Sequence, residues 1–352
     1  MTETETTAHT PSPRRPVRSS HSAVPAPPHQ ARAAAPAGPR VTTASAKSSA
    51  LLRAEEFVRL TARVLEQRRF AYHFLGAGAA GAEAVETALA AYRNDDEGFG
   101  HALDPRLRGP QSRPAHTVYA LRVLDSIGRC CGRRVERLGR YLTAVSAPDG
   151  ALPAFPPGRH PFASAQGELL TTGPVVGLLH RNDVWHAWLF RATDFCWGAI
   201  ESLAAPSPHE VRAAVAFLDS VPDRQRAQAS ADRLGRLVRE QRLAVLDPQQ
   251  PDTSPAVPGC APSELHFPHD YAQTPQSLAR AWFTDDEMDR SLDFLTADQQ
   301  QDGGWPVLPG SPGGLRAEQR WSPGAVVERL ERRPGLTIEA LRTLRAYGRT
   351  IG

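Results

Sequence analysis

The sequence contains few aromatic residues, few cysteines and almost no lysine. Aromatic residues make up 7% of its 352 residues, and Lys47 is the only lysine. The four cysteines form no CxxC pair, which argues against a zinc ribbon or a redox dithiol. No apolar run approaches the roughly 20 residues that a membrane-spanning helix needs. We therefore expect no transmembrane span, and peripheral contact with a membrane stays open.

The positive charges are interleaved with acids. Lysine and arginine together number 41 against 38 acids, a net charge of +3. Arginines stand beside acids, as in 329–332, whereas a nucleic-acid-binding protein clusters its bases on one face. No apolar stretch follows the N-terminal arginines, so they do not form a secretory signal. We expect a cytoplasmic protein without a nucleic-acid partner.

The N-terminal segment 1–48 is rich in Pro, Ala, Ser, Thr and Arg and holds almost no large apolar side chain. Such a segment cannot bury enough surface to offset the conformational entropy lost on ordering. The sequence predicts a disordered arm over 1–48 and one folded domain over 49–352.

The folded domain shows helical periodicity and no period-two alternation. About ten helical segments, from 51–68 to 336–348, are separated by short loops rich in Pro and Gly. This pattern predicts an all-α fold. The first segment places five apolar side chains close to one helix face: Leu52, Phe57, Leu60, Val64 and Leu65.

Three loops repeat an acid followed by glycine, with a later threonine that opens a helix. A turn glycine supplies a positive φ and the acid caps the turn. Helical hairpins stacked through such loops close into a ring, the α/α toroid, or stay an open solenoid. We predict a toroid. The loops and threonines are 94–100 with Thr117, 148–153 with Thr171, and 299–306 with Thr337.

The third loop, QQQDGGWP at 299–306, resembles the QW motif of squalene–hopene-type cyclases, and DDEGFG at 95–100 is a looser copy. Residues 96–114 and 337–349 resemble small actinobacterial members of the prenyltransferase and squalene-cyclase-like superfamily. The resemblance covers roughly 50–352. It implies an α/α barrel around a largely apolar cavity that takes a prenyl or polyene substrate.

Cyclases of this superfamily that begin by protonating an alkene need an activated acid in a dry pocket. The DxDD-like motif that commonly supplies it is absent. The acids near the first loop are the catalytic candidates, and turn capping is the alternative role for them. These acids are Asp95, Asp96, Glu97 and Asp104.

Aromatic side chains would stabilise a carbocation, so the indoles are candidates for substrate binding. Ordinary core packing is the alternative, because large aromatics are usually core residues. The candidate set is Trp185, His186, Trp188, Phe195, Trp197, Trp282, Trp305 and Trp321.

Metal sites are weakly indicated, and we expect no cofactor. Asp285 and Asp289 fit a DDxxD string that binds Mg²⁺, but Thr284 and Glu287 make the same segment a helix-capping box. A zinc site built from Cys260, His266, His269 and Asp270 has no recognised spacing.

A cluster of arginines follows the first loop. Arg106, Arg108 and Arg113, with His116, have the chemistry to bind a diphosphate or a carboxylate. Solvation at the surface beside Asp and Glu partners is the alternative.

Two functions follow from these patterns. The first is a terpenoid or isoprenoid cyclase-like protein that binds a hydrophobic small molecule in its central cavity. The second is a non-catalytic scaffold on the same fold that binds a lipid or a partner chain.

Overall fold

The chain is described by a computed structural model, and the structure describes residues 49–153, 168–249, 265–307 and 323–351. These residues belong to one compact unit, Lys47–Gly352. The predicted arm 1–48, Trp321 and Cys260 lie outside the described residues, so the predictions on them stay predictions.

The all-α fold class is confirmed. The described residues form no strand, and one isolated β-bridge joins Arg93 to Phe99. A short 3-10 helix, Leu278–Trp282, precedes α11. None of the described helices has the length and apolar character needed to cross a membrane. The α-helices of the described residues are α1 (Ser49–Thr61), α2 (Val64–Phe74), α3 (Gly78–Ala90), α4 (Pro114–Ser126), α5 (Arg133–Val145), α6 (Leu169–Arg181), α7 (Ala187–Ser202), α8 (Pro208–Leu218), α9 (Arg224–Glu240), α10 (Pro268–Tyr271), α11 (Asp285–Ala297) and α12 (Pro323–Ala346).

The single helix predicted over 51–68 is wrong, because the chain forms two helices there. Arg63 leaves the helical conformation, and its guanidinium donates to the backbone oxygens of Ala102 and Leu103 at 2.9 and 3.1 Å. Because of this break, the apolar side chains predicted to share one helix face do not all point to the core. Leu60 and Val64 are 67% and 61% exposed.

The three repeated loops share one backbone geometry. The carboxylate of Asp96, Asp149 or Asp302 accepts from the N–H two residues later, at 2.9, 3.0 and 3.1 Å. The residue between them has a positive φ in every copy. This residue is Gly150 or Gly303 in two copies but Glu97 in the first, so the first loop is shifted by one residue relative to the predicted repeat. The predicted capping acids are present in all three copies.

Each of two loops is tied to the helix that follows it. The N–H of Trp305 donates to Thr337 Oγ1 at 3.0 Å, and the N–H of Leu152 donates to Thr172 Oγ1 at 2.8 Å. In the second repeat the threonine that binds the loop is therefore Thr172 and not its neighbour Thr171.

The helix contacts return from the end of the domain to its beginning. α4 contacts α6, α6 contacts α8, α8 contacts α10, α10 contacts α11, and α11 contacts α12. α12 then contacts both α1 and α2. The hydroxyl of Tyr119 in α4 donates to Glu66 in α2 at 2.9 Å. An open solenoid keeps its first and last repeats apart, so these contacts favour the predicted ring.

Candidate functional site

One face of α4 is accessible to solvent although the helix lies among its neighbours. The accessible side chains follow one another at spacings of four, three and four, and the other residues of α4 up to Leu124 are buried. The accessible residues are Ala115, Tyr119, Arg122 and Ser126. Arg122 is exposed. Its pKa is nevertheless lowered, first by desolvation and then by the charges of Arg212 and Arg106. A side chain that is both accessible and desolvated lies in a concave space.

A second arginine reaches the same space from α8. Arg212 is half-buried and close enough to Arg122 to lower the pKa of that residue. It also helps to lower the pKa of Asp270, which follows from its positive charge. Neither Arg122 nor Arg212 makes a hydrogen bond or an ion pair with any residue that the structure describes.

α2 and α12 supply paired charges around these two arginines. Glu339 accepts from Arg69 at 2.6 Å and from Arg342 at 2.9 Å. Burial alone would raise the pKa of Glu339, but Arg342 and Arg69 hold it below its usual value. Arg69 also donates to the hydroxyl of Tyr119 at 3.3 Å. Burial raises the pKa of that phenol, which stays protonated.

We call the six residues Arg69, Tyr119, Arg122, Arg212, Glu339 and Arg342 the interior cluster. The carboxylate in this cluster is hydrogen-bonded to two arginines, and the charge of Arg122 also helps to lower its pKa. The charges of Arg122 and Arg212 are close enough for Arg212 to lower the pKa of Arg122, and neither guanidinium has an ion pair among the described residues. Two like charges in a partly desolvated space repel, and an anion between them would remove that repulsion. The cluster can therefore bind an oxyanion.

The repeat that builds the loops also places two residues of the cluster. Tyr119 and Arg122 follow Thr117 at the same distances as Glu339 and Arg342 follow Thr337. Arg122 and Arg212 are not among the site residues predicted from the sequence. The signal was an arginine inside an otherwise apolar helical segment, TVYALRVLD in the first case and VRAAVAFL in the second.

The predicted catalytic acids hold the first loop and its surroundings. Asp96 accepts from Ser112 Oγ at 2.6 Å, and Glu97 lies 3.6 Å from Arg93. Asp95 is exposed. Asp104 is buried and pairs with Arg106 at 2.5 Å, which holds the pKa of that carboxyl below its usual value against the opposing effect of burial. A proton donor to an alkene must be protonated at the working pH, whereas a lowered pKa keeps this carboxyl ionised.

Most of the predicted substrate-binding aromatics pack in the core. The four indoles of Trp188, Trp197, Trp282 and Trp305 are between 1% and 8% exposed, and all four belong to the hydrophobic core. Phe195 packs against that core and is partly buried. Their positions favour core packing, which was the alternative role for this set.

The remaining two members of that set have other surroundings. Trp185 precedes α7, is 79% exposed and contacts Phe190, with ring centroids 6.0 Å apart. His186 caps α7, since its Nδ1 accepts from the N–H of Trp188 at 3.2 Å. Trp282 also borders an open surface cleft of about 310 Å³ between α9 and the 3-10 helix.

The predicted capping box at α11 is confirmed. The N–H of Thr284 donates to Glu287 at 2.9 Å, and the N–H of Glu287 donates back to Thr284 Oγ1 at 3.2 Å. Asp285 pairs with Arg280, and Asp289 pairs with Arg349. No group of three His, Cys, Asp or Glu within the described ranges has a metal-binding arrangement. The Mg²⁺ alternative gains no support.

Two of the three arginines after the first loop are paired with acids. Arg106 is paired with Asp104, and Arg108 lies 2.8 Å from Glu331. Arg113 stands at the N-terminus of α4 and its N–H donates to Phe99. His116 is fully buried and its Nδ1 accepts from the N–H of Asp104 at 3.0 Å. Of this set, Arg106 is the residue whose charge helps to lower the pKa of Arg122.

The chain matches no family model and no curated protein. A crystal structure of a protein from Actinoplanes is similar in fold, with a TM-score of 0.54 and 16% sequence identity. The match covers 85% of this chain and 99% of that one. Identity this low shows a shared fold alone.

Proposed function

We propose that this protein binds a small anionic molecule in the space shared by α4, α8 and α12. The observation that carries the proposal is the neighbouring pair Arg122 and Arg212, which is desolvated at Arg122 and makes no ion pair among the described residues. Unpaired cations in a partly desolvated site destabilise a fold. An anionic ligand would supply the missing counter-charge.

The proposal keeps the predicted superfamily membership and favours the second of its two functions. A non-catalytic ligand-binding role needs only the unpaired arginines. A polyene cyclase needs an activated acid and an aromatic lining, whereas Asp96 and Asp104 are hydrogen-bonded and Trp188, Trp197 and Trp305 are core residues. A bare hydrocarbon would also leave both guanidinium groups desolvated without a counter-charge. A prenyl ligand fits this site only through an anionic group attached to it.

The proposed site of action is the cytoplasm. Small anions that carry phosphate or carboxylate groups are abundant there. The cysteines Cys130, Cys131 and Cys196 form no disulfide in the described part of the chain, which suits a reducing compartment.

Isothermal titration of the full chain with pyrophosphate, inorganic phosphate, acetate and an uncharged prenyl alcohol tests the proposal. We expect the anions to bind, with an affinity that falls as salt is raised. Arg122→Gln should weaken binding by about tenfold or more, because it removes a charge-assisted hydrogen bond to the anion. Arg140→Gln is the matched control, since Arg140 is exposed on α5 and should leave affinity unchanged. Absence of anion binding, or equal affinity in both variants, would contradict the proposal.

A further inference from the structure

A histidine on α10 has its tautomer fixed by a serine. His269 is buried, and its Nδ1 lies 2.6 Å from Ser291 Oγ. The backbone N–H of His269 donates to the same Oγ at 3.2 Å. No other described residue accepts the hydroxyl proton of Ser291, and we therefore assign this bond as Oγ–H donating to Nδ1. An Nδ1 that accepts leaves the ring proton on Nε2.

The imidazole is also fixed in orientation. Its ring lies parallel to that of Phe267 within 4°, with centroids 5.6 Å apart, and Phe267 stacks in turn on Phe294 at 4.5 Å. Because Ser291 on α11 holds Nδ1, Nε2 is directed away from α11. The Nε2 atoms of His73 and His116 are buried and have no hydrogen-bond partner among the described residues, and His269 Nε2 does not belong to that group.

The helix that carries this imidazole, α10, packs against α8, which carries Arg212. Burial lowers the pKa of His269, and Asp270 and Arg212 shift it in opposite directions, as nearby charges do. The Asp270 carboxylate is itself engaged, because its Oδ2 accepts from the N–H of Phe267 at 2.9 Å. The ring is therefore a neutral donor beside an arginine that has no ion pair among the described residues.

Resting on the function proposed above, we propose that His269 donates its Nε2–H to the same anion that Arg122 and Arg212 bind. Three donor groups then converge from three helices, α4, α8 and α10. A carboxylate is planar and offers two oxygens, whereas a phosphate group offers three or four oxygens in a tetrahedral arrangement. The ligand class that fits is a phosphate or a phosphate monoester. Ser291 is the positioning residue that keeps the proton on Nε2.

The test is calorimetric titration with inorganic phosphate and with acetate. Asn in place of His269 keeps an amide near Nδ1 but carries no donor at the Nε2 position, and Gln places its amide nitrogen near Nε2. We expect His269→Asn to weaken phosphate binding by about tenfold, which corresponds to one hydrogen bond. His269→Gln should stay within about threefold of the wild type and thereby shows that the fold survives substitution here. Phosphate should bind more tightly than acetate.

A second measurement reports the tautomer of His269 directly. Long-range ¹⁵N NMR of the histidine side chains should show His269 as the Nε2–H tautomer, and phosphate should shift that N–H signal. Ser291→Ala should mix the two tautomers and weaken phosphate binding, which loss of packing alone would not do.

The outcomes separate the two proposals. Phosphate binding that is lost in Arg122→Gln but unchanged in His269→Asn overturns the role of His269 and leaves the arginine site standing. An Nδ1–H tautomer in the wild type, or acetate bound as tightly as phosphate, also overturns it. A wild type that binds no anion overturns both proposals.

Discussion

At the scale of single residues, Arg122 and Arg69 lie in the same cluster but have different partners. Arg69 holds Glu339 and Tyr119, whereas Arg122 has no described partner and its pKa is lowered by desolvation. We expect Arg122→Gln to be as stable as the wild type or more stable, within about 1 kcal/mol. Arg69→Gln should cost about 2 kcal/mol, because it leaves a partly buried carboxylate with one partner fewer. Urea unfolding measures both, and an equal loss in the two variants would contradict this difference.

His116 makes the stability of the fold depend on pH. Burial lowers its pKa from 6.5 to about 4. Between those pH values the unfolded chain binds a proton that the folded chain does not. The stability that the neutral His116 contributes is therefore fully present above pH 6.5 and is lost as the pH falls toward 4. At about 1.4 kcal/mol per pKa unit the contribution is roughly 3 kcal/mol.

The variant His116→Asn keeps an acceptor for the N–H of Asp104 but does not titrate in this range. We expect its unfolding free energy to fall less between pH 7 and pH 4 than that of the wild type, by roughly 2 to 3 kcal/mol. Chemical denaturation across that pH range measures the difference. Parallel pH curves for the two proteins would show that His116 is not the group responsible.

At the scale of elements, the repeated loop requires a positive φ at one position. Glu97 has φ 67° where the other copies have Gly150 and Gly303 at φ 89°. We expect Glu97→Gly to stabilise the protein by about 1 kcal/mol, because a side chain is strained in this region. The ion pairs of Glu97 with Arg93 and Arg137 are 3.6 and 3.8 Å long and partly exposed, so removing them costs little. Urea unfolding measures the change, and a less stable variant would contradict it.

Replacing the glycine of the third loop with a larger residue should strongly destabilise the protein. A Cβ on Gly303 would lie 2.1 Å from the backbone oxygen of Arg53, in addition to the strain of its φ. Gly303→Ala should therefore lower the melting temperature well below that of Gly98→Ala, whose Cβ would meet side chains of Ser112 and Tyr141. Equal melting temperatures would show that the two glycines occupy equivalent positions in the repeat.

The helix threonines give a second comparison between repeats. Thr337 and Thr172 each accept from the N–H of a buried loop residue, whereas Thr117 Oγ1 is buried and has no hydrogen-bond partner in the described part of the chain. Replacing Thr337 or Thr172 with Val should cost about 1 to 3 kcal/mol, since an N–H is left unsatisfied. Thr117→Val should be neutral or stabilising. Denaturation midpoints that fall equally in all three would contradict the comparison.

Structural features whose partners lie close together in the sequence were predicted correctly. Features that depend on residues far apart in the sequence were not. The capping box of Thr284 and Glu287 and the acids of the repeated turns were predicted, because their partners lie two or three residues away. The break between α1 and α2 was missed, because it depends on Arg63 reaching a loop about 40 residues further along the chain. α12 begins at Pro323, well before the predicted start at 336, since its helix continues through Pro334 although proline usually ends a helix.

At the scale of the whole domain, the sequence predicted the all-α class and the repeat, but its interior was expected to be apolar. Arg122, Arg212, Glu339 and Arg342 lie on α4, α8 and α12, and Glu339 reaches Arg69 of α2 because the last helix packs on the first two. No sequence spacing shows that long-range contact. The resemblance to terpenoid cyclases implies an apolar cavity, whereas the site that we propose between these helices is charged.

Above all, we infer that an anion binds between Arg122 and Arg212. Crystals of the full chain grown with selenate, a tetrahedral oxyanion with an anomalous signal, test this inference directly. We predict an anomalous peak within hydrogen-bonding distance of both guanidinium groups in the wild type and no such peak in Arg122→Gln. A wild-type crystal with selenate bound elsewhere and none between these arginines would contradict it.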